Sequence, residues 1–219
     1  MGVVDDAGAV QTMSEAKLAS TGPGGMRGTG VLQAIARMSS TRTNYWVGHA
    51  ADFLVSFVLL GTAYWLGHGH SALVSVLVFL LGLLIFSFIE YAFHRWLFHG
   101  PVRLFEHGHT IHHEQPLGYD SLPFFFPPAV VLLLAAALAL VLPTAMALLL
   151  TGAIALGYAL YGFSHMIIHR RGRFNHPLAR KWAAVHHVHH FHSDKNYGVT
   201  SPLWDFLLGT WYVSKSKVR

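Results

Sequence analysis

Four runs of about 20 apolar residues constrain this chain more than any other feature. They cover residues 47–67, 72–93, 122–142 and 144–164. As helices rising ~1.5 Å per residue, each reaches across a ~30 Å hydrocarbon core. Charged residues make up 11% of the chain and hydrophobic ones 53%. That is about half the charge of an average soluble domain, so much of the surface is expected to face lipid. The expectation is an all-α integral membrane protein with four transmembrane helices. Residues 1–44 read as a disordered tail rich in Gly, Ser and Thr, ending in a short interfacial helix over 31–44. Residues 45–219 read as one membrane-embedded domain.

The chain has 17 histidines and no cysteine. Disulfides, iron–sulfur clusters and thiolate metal sites are excluded, and imidazole is left as the metal ligand. Ten histidines form four clusters near the ends of the spans. His94 and His99 follow the second span, and His165 and His169 follow the fourth. His109, His112 and His113 lie between the second and third spans, and His186, His189 and His190 lie after the fourth. Each triplet falls at i, i+3, i+4, one face of a helix. His165 and His169 at i, i+4 suit one edge of a metal. His94 and His99 are five apart, about 140° on an ideal helix. They are expected on different faces, with Gly100 and Pro101 ending the helix so that His99 splays toward a different metal.

A structural zinc closes with four ligands, and a catalytic zinc takes three plus water. Ten imidazoles exceed the needs of one ion. They suit a dinuclear site of about five each with a position left open. Imidazole binds iron, zinc, copper and nickel alike. Two irons could together reduce dioxygen, which a bare zinc pair could not.

The other histidines are expected to do less. His49, His68, His70, His176 and His192 read as solvated or hydrogen-bonded side chains, with His68 and His70 on the opposite membrane face. His107 and His187 read as supports behind the ligands. Asn175 is expected to cap a helix opened by Pro177. Asp52 and Glu90 are ionisable groups at span ends, and Glu90 lies one turn before His94, where it could orient that ring. Asp120 and Asp205 read as acceptors behind ligands or as helix caps.

Basic residues set the orientation. Four precede the first span (Lys17, Arg27, Arg37, Arg42), two lie between the second and third (Arg95, Arg103), and nine follow the fourth. The other two connections have none. With four spans, both termini and all ten clustered histidines fall on the cytoplasmic side, in a helical cap. That is the inner membrane of a bacterium or the endoplasmic reticulum of a eukaryote. The formal charge of +5 then faces anionic headgroups, not nucleic acid.

The segments HRWLFH, HTIHH, HMIIH and HHVHH give HxxxxH, HxxHH, HxxxH and HxxHH in order. This pattern resembles the fatty acid hydroxylase / sterol desaturase superfamily of membrane non-haem di-iron enzymes, over about residues 44–210. The closing NYGVTSPLWDFLLGT is similar to the end of that domain. EYAFHRWLFH and HHEQPLGYDSLPFFFPP resemble the fatty acid 2-hydroxylase branch. The resemblance implies that His94, His99, His109, His112, His113, His165, His169, His186, His189 and His190 bind two irons, with zinc an alternative occupant in purified protein. It implies O2-dependent hydroxylation of a lipid acyl chain, the carbon beside the carbonyl being one expected position. Catalytic residues beyond the ligands are not implied.

No flavin, haem or iron–sulfur motif is present, and residues 1–44 are too few for the haem domain often fused to such enzymes. Electrons are expected from a separate reductase or carrier. Tyr91, Trp96, Tyr158, Tyr161 and Phe163 either line a lateral path for substrate or form an interfacial belt. Two alternatives differ in kind. YGFSHMIIHRR also resembles carotenoid hydroxylases, so a carotenoid or sterol hydroxylase or desaturase competes for the substrate. A metal transporter would need ligands near the bilayer midplane, where these spans carry Leu, Val, Ala, Ile and Phe.

Overall fold

The computed structural model describes residues 30–67, 69, 71–101, 103–119, 121–170 and 176–213, without the side chains of residues 31–33, 36, 103–105, 107 and 108. The expected tail before residue 30, and His68, His70, Asp120 and Asn175, lie outside the described residues, as does the His107 side chain. Two compact units divide the chain, 1–36 and 37–219. Among the described residues every regular element is helical.

Helix α1 (Gly30–Ser39) stops short of the expected residue 44 because Thr41 caps a new helix. The Asn44 N–H donates to Thr41 Oγ1 at 3.1 Å. That helix, α2 (Arg42–Leu66), starts five residues before the expected span. Next comes α3 (Ala72–Ala92), which runs into a π-helical turn (Phe93–Phe98). The remaining helices are α4 (Arg103–Glu114), α5 (Phe126–Ala139), α6 (Thr144–His169), α7 (Pro177–Phe191) and α8 (Leu203–Leu207).

Three helices are long and apolar enough to cross a membrane: α2, α3 with its π turn (Ala72–Phe98), and α6. The third apolar run yields only the 14 residues of α5, about 21 Å of helix. Prolines account for the shortening. Pro127 and Pro128 occupy the first turn and tolerate no earlier start, and the chain turns at Leu140–Leu142 ahead of Pro143.

Helix α6 is the centre of the bundle, packed by α2, α3 and α5. Its buried residues are mostly small, including Ala147, Thr151, Gly152, Ala153, Ala155, Gly157 and Ala159. Small side chains let helix backbones approach where no water drives them together. The bulky side chains point out instead: Leu54, Phe57, Trp65, Leu73, Leu133 and Leu140 are each more than half exposed. Buried hydroxyls are satisfied within their own helices, Ser56 on Asp52 O at 2.6 Å and Thr151 on Ala147 O at 2.7 Å.

One buried amide fixes the start of α2. Asn44 Nδ2 donates to Ser121 Oγ (2.9 Å) and Leu122 O (3.0 Å), and Asn44 Oδ1 accepts from Phe124 N (2.9 Å). The N-terminal end of α2 is thereby tied to the segment that leads into α5, at the same end of the bundle as the C-termini of α3 and α6.

Candidate metal centre

The π turn decides the first histidine pair. Its i→i+5 pattern ends with His99 N–H donating to His94 O at 3.2 Å. Residues five apart are then brought nearly over one another. The two rings stack, centroids 5.3 Å apart at 30°. The expectation of separate faces and separate metals is therefore overturned. Gly100 ends the turn as expected, but without splaying His99. A Cβ there would lie 1.8 Å from Trp96 O, so only glycine fits.

Ring nitrogens gather into two groups able to hold a metal. In the first, His94, His99, His109, His113 and His189 each offer a nitrogen, all within 4.8 Å of one another. In the second, His112, His165, His169 and His186 do the same. His190 stands beside the second group, its Nε2 3.1 Å from that of His186, and its ring stacks on His113 at 4.3 Å. All ten clustered histidines thus come together. Each helical triplet is divided: α4 sends His109 and His113 to the first group and His112 to the second, while α7 sends His189 to the first and His186 to the second.

The donor set fits a cation. His109 Nε2 lies 3.1 Å from His94 Nε2 and 3.0 Å from both His99 Nε2 and His113 Nε2. A neutral imidazole has one N–H. His94 and His189 use theirs at Nδ1, on the carbonyls of Tyr197 and Lys195, which can only accept. Their Nε2 atoms therefore carry lone pairs, as the convergence of so many nitrogens requires. Ligands on adjacent corners around an ion, at ~2.0–2.1 Å from it, sit about 3 Å apart. In the second group the Nε2 separations are 3.1–3.2 Å, and His112 Nε2 is buried with no hydrogen-bond partner. A cation satisfies all of them.

Burial keeps the rings outside the spans neutral, and their neighbours add to it. His99 and His112 are held down to about 4, and His189 and His190 to about 3. His109, His113 and His186 are lowered for the same first reason, loss of water.

The C-terminal segment orients the first group. His94 Nδ1 donates to Tyr197 O, and His189 Nδ1 donates to Lys195 O at 2.7 Å. Asp205, fully buried, holds that segment. Its Oδ1 accepts from Tyr197 N (2.8 Å) and Thr210 Oγ1 (2.7 Å), and its Oδ2 accepts from Gly198 N (2.8 Å). Asn196 sits at φ 53°, a left-handed position that Asn tolerates better than most residues, and its side chain bonds Tyr212 N, Tyr212 O and Val185 O. Residue patterns gave no warning of Lys195 and Tyr197, because every residue has a carbonyl.

Other expectations are redistributed. Glu90 does not reach His94; it accepts from Val199 N, Thr200 N and Thr200 Oγ1, anchoring the same segment to α3. Asp205 bonds no clustered histidine directly; it holds Tyr197, whose carbonyl accepts from His94. The cap described for α7 is His176, whose Nδ1 accepts from Leu178 N at 3.3 Å. His192 is exposed beside Tyr212, and the His187 ring lies 5.9 Å from that of His169. Asp52 is buried on the inner face of α2. Among the aromatics, Tyr161 stacks on His165 (5.7 Å, 11°), and Tyr91 is buried in bonds to Thr210 and Arg95. Trp96 and Phe163 are exposed.

Residues 79–210 match the family model described as fatty acid hydroxylase. Dihydroceramide fatty acyl 2-hydroxylase FAH2 of Arabidopsis thaliana is 33% identical over 145 residues, 61% of this chain and 60% of that protein. The fatty acid 2-hydroxylase of Homo sapiens is 31% identical over 151 residues, 61% of this chain and 39% of its own length. The solved structure of full-length Scs7p, in which only the hydroxylase domain is visible, shares the fold with a TM-score of 0.67 and 24% identity, over 82% of this chain and 70% of that one. The matched part spans 39–62% of the curated relatives' length. On the match across most of its length, this chain belongs to the fatty acid hydroxylase family.

Proposed function

We propose that this chain is an integral-membrane, non-haem di-iron hydroxylase that oxidises the acyl chain of a membrane lipid at the carbon beside the carbonyl. The observation that carries the reading is the pair of nitrogen groups at the shared end of three apolar helices. The relatives with printed activities act on fatty acyl groups of ceramide-type lipids or on fatty acids.

In this reading His94, His99, His109, His113 and His189 hold one iron, and His112, His165, His169, His186 and His190 hold the other. Bound iron supplies the redox chemistry that activates dioxygen toward an unactivated C–H bond. The chain's own work is to bring ten imidazoles together and to aim two of them through the carbonyls of Tyr197 and Lys195. Tyr161 stacks on His165 and holds that ring from the bundle side. The short helix α5 and its flanking turns complete a fourth crossing, which puts both termini and the metals on the cytoplasmic side. Electrons come from a separate reductase or carrier.

The test is expression in a host without such enzymes, followed by lipid mass spectrometry. A 2-hydroxyacyl lipid that disappears in His186→Ala is expected. A hydroxylated carotenoid or sterol in its place would overturn the substrate, and metal uptake into vesicles with no lipid product would overturn the enzyme.

A further inference from the structure

His49 lies outside both nitrogen groups, yet its Nε2 is buried with no hydrogen-bond partner. Buried polar atoms are nearly always paired, so an unpaired one needs a reason. The ring is held in a socket on α6. A Cβ on Gly162 would come within 2.7 Å of His49 Cε1 and 3.1 Å of its Nδ1, so the imidazole occupies the space a side chain would fill. Tyr45 meets the ring edge-on at 4.6 Å and Trp46 lies 6.2 Å away. The bonds of Asn44 to Ser121, Leu122 and Phe124 fix this end of α2 just over one turn away. The ring is therefore preorganised, and not a solvated histidine.

Its position matters. Gly162 precedes His165 by three residues, about 4.5 Å along the helix axis, on the bundle side of the second group. Selecting one carbon of an acyl chain poses a particular physical problem. Methylene groups are alike, so contacts along the sides of a chain do not set its register against the metals. The polar group at its head can, when a hydrogen-bond donor stands at a fixed distance from the centre. Among the described residues, His112 Nε2 and His186 Nδ1 are also buried without a bond, and both are on rings of the clusters.

We propose that His49 Nε2–H donates a hydrogen bond to the acyl carbonyl of the lipid and so sets which carbon faces the metals. His49 is then a specificity-determining residue, and Gly162 is the residue that makes room for it. This rests on the hydroxylase reading above.

The experiment compares wild type, His49→Leu, His49→Gln and Gly162→Ala in membranes, with metal content and the position of hydroxylation both measured. Wild type gives the 2-hydroxy product. His49→Leu is expected to retain its metals, lose about 10-fold or more in kcat/KM for that product, and spread hydroxylation to carbons further along the chain. His49→Gln, which restores an N–H at similar reach, returns the product to carbon 2. Gly162→Ala, which pushes the ring aside without removing it, behaves as His49→Leu. Unchanged position and KM in His49→Leu would overturn the inference. So would loss of metal in His49→Leu together with failure of His49→Gln to recover, since both would mark a packing role. A wild type that makes no hydroxy lipid would instead sink the proposed function.

Discussion

His94 Nδ1 is hydrogen-bonded to the carbonyl of Tyr197, 103 residues further along the chain. A clustered histidine at the end of one apolar helix is aimed by the segment that contains Tyr197, and Asp205 holds that segment in place.

Asp205→Ala should therefore act on metal binding without touching a ligand. It removes the acceptor of three hydrogen bonds, each donor left buried costing about 1–3 kcal/mol. We expect a large fall in thermal stability and about 10–100-fold weaker affinity at the first group, the range seen when residues behind ligands are lost. Unfolding in detergent and metal titration of the variant measure both. Wild-type affinity in a folded Asp205→Ala would show that Tyr197 needs no such support.

The division of the triplets predicts selective metal loss. His109 Nε2 touches three other ring nitrogens of the first group, and His165 belongs to the second. His109→Ala should empty the first site and leave the second, and His165→Ala the reverse. Elemental analysis is expected to read about one metal per chain in each case. Hydroxylation should vanish in both, because two ions act together. Two metals retained in His109→Ala would contradict the grouping.

Acid should destabilise the metal-free protein. His99, His112, His189 and His190 have folded-state values of about 3–4, below the ordinary imidazole value of ~6.5 kept in the unfolded chain. Between those values the unfolded state binds more protons, so stability rises with pH. It should be fully present above about pH 6.5 and fall progressively toward pH 3–4. Melting temperature against pH after chelation tests this, and a flat profile from pH 7 to 4 would refute it.

Much of this was written in the linear order of residues. Long uncharged runs imply helices in lipid, and α2, α3 and α6 followed. Spacings of three and four place imidazoles on one face, and the ten clustered histidines do converge. Both are local properties of a helix, readable from neighbours alone. The third run gave a shorter helix than its apolar length implied, because composition sets a hydrophobic length, while prolines at 127, 128 and 143 set how much of it is helix.

What periodicity could not decide is which nitrogen meets which. A π turn moved His99 onto His94, and each triplet was shared between two groups, because facing helices approach from different sides. The carbonyls of Lys195 and Tyr197 carry no side-chain signature, and the socket for His49 is a missing Cβ 113 residues away in the chain. Such relations arise only when distant segments pack. The residues named the chemistry, and the packing assigned each of them its place in it.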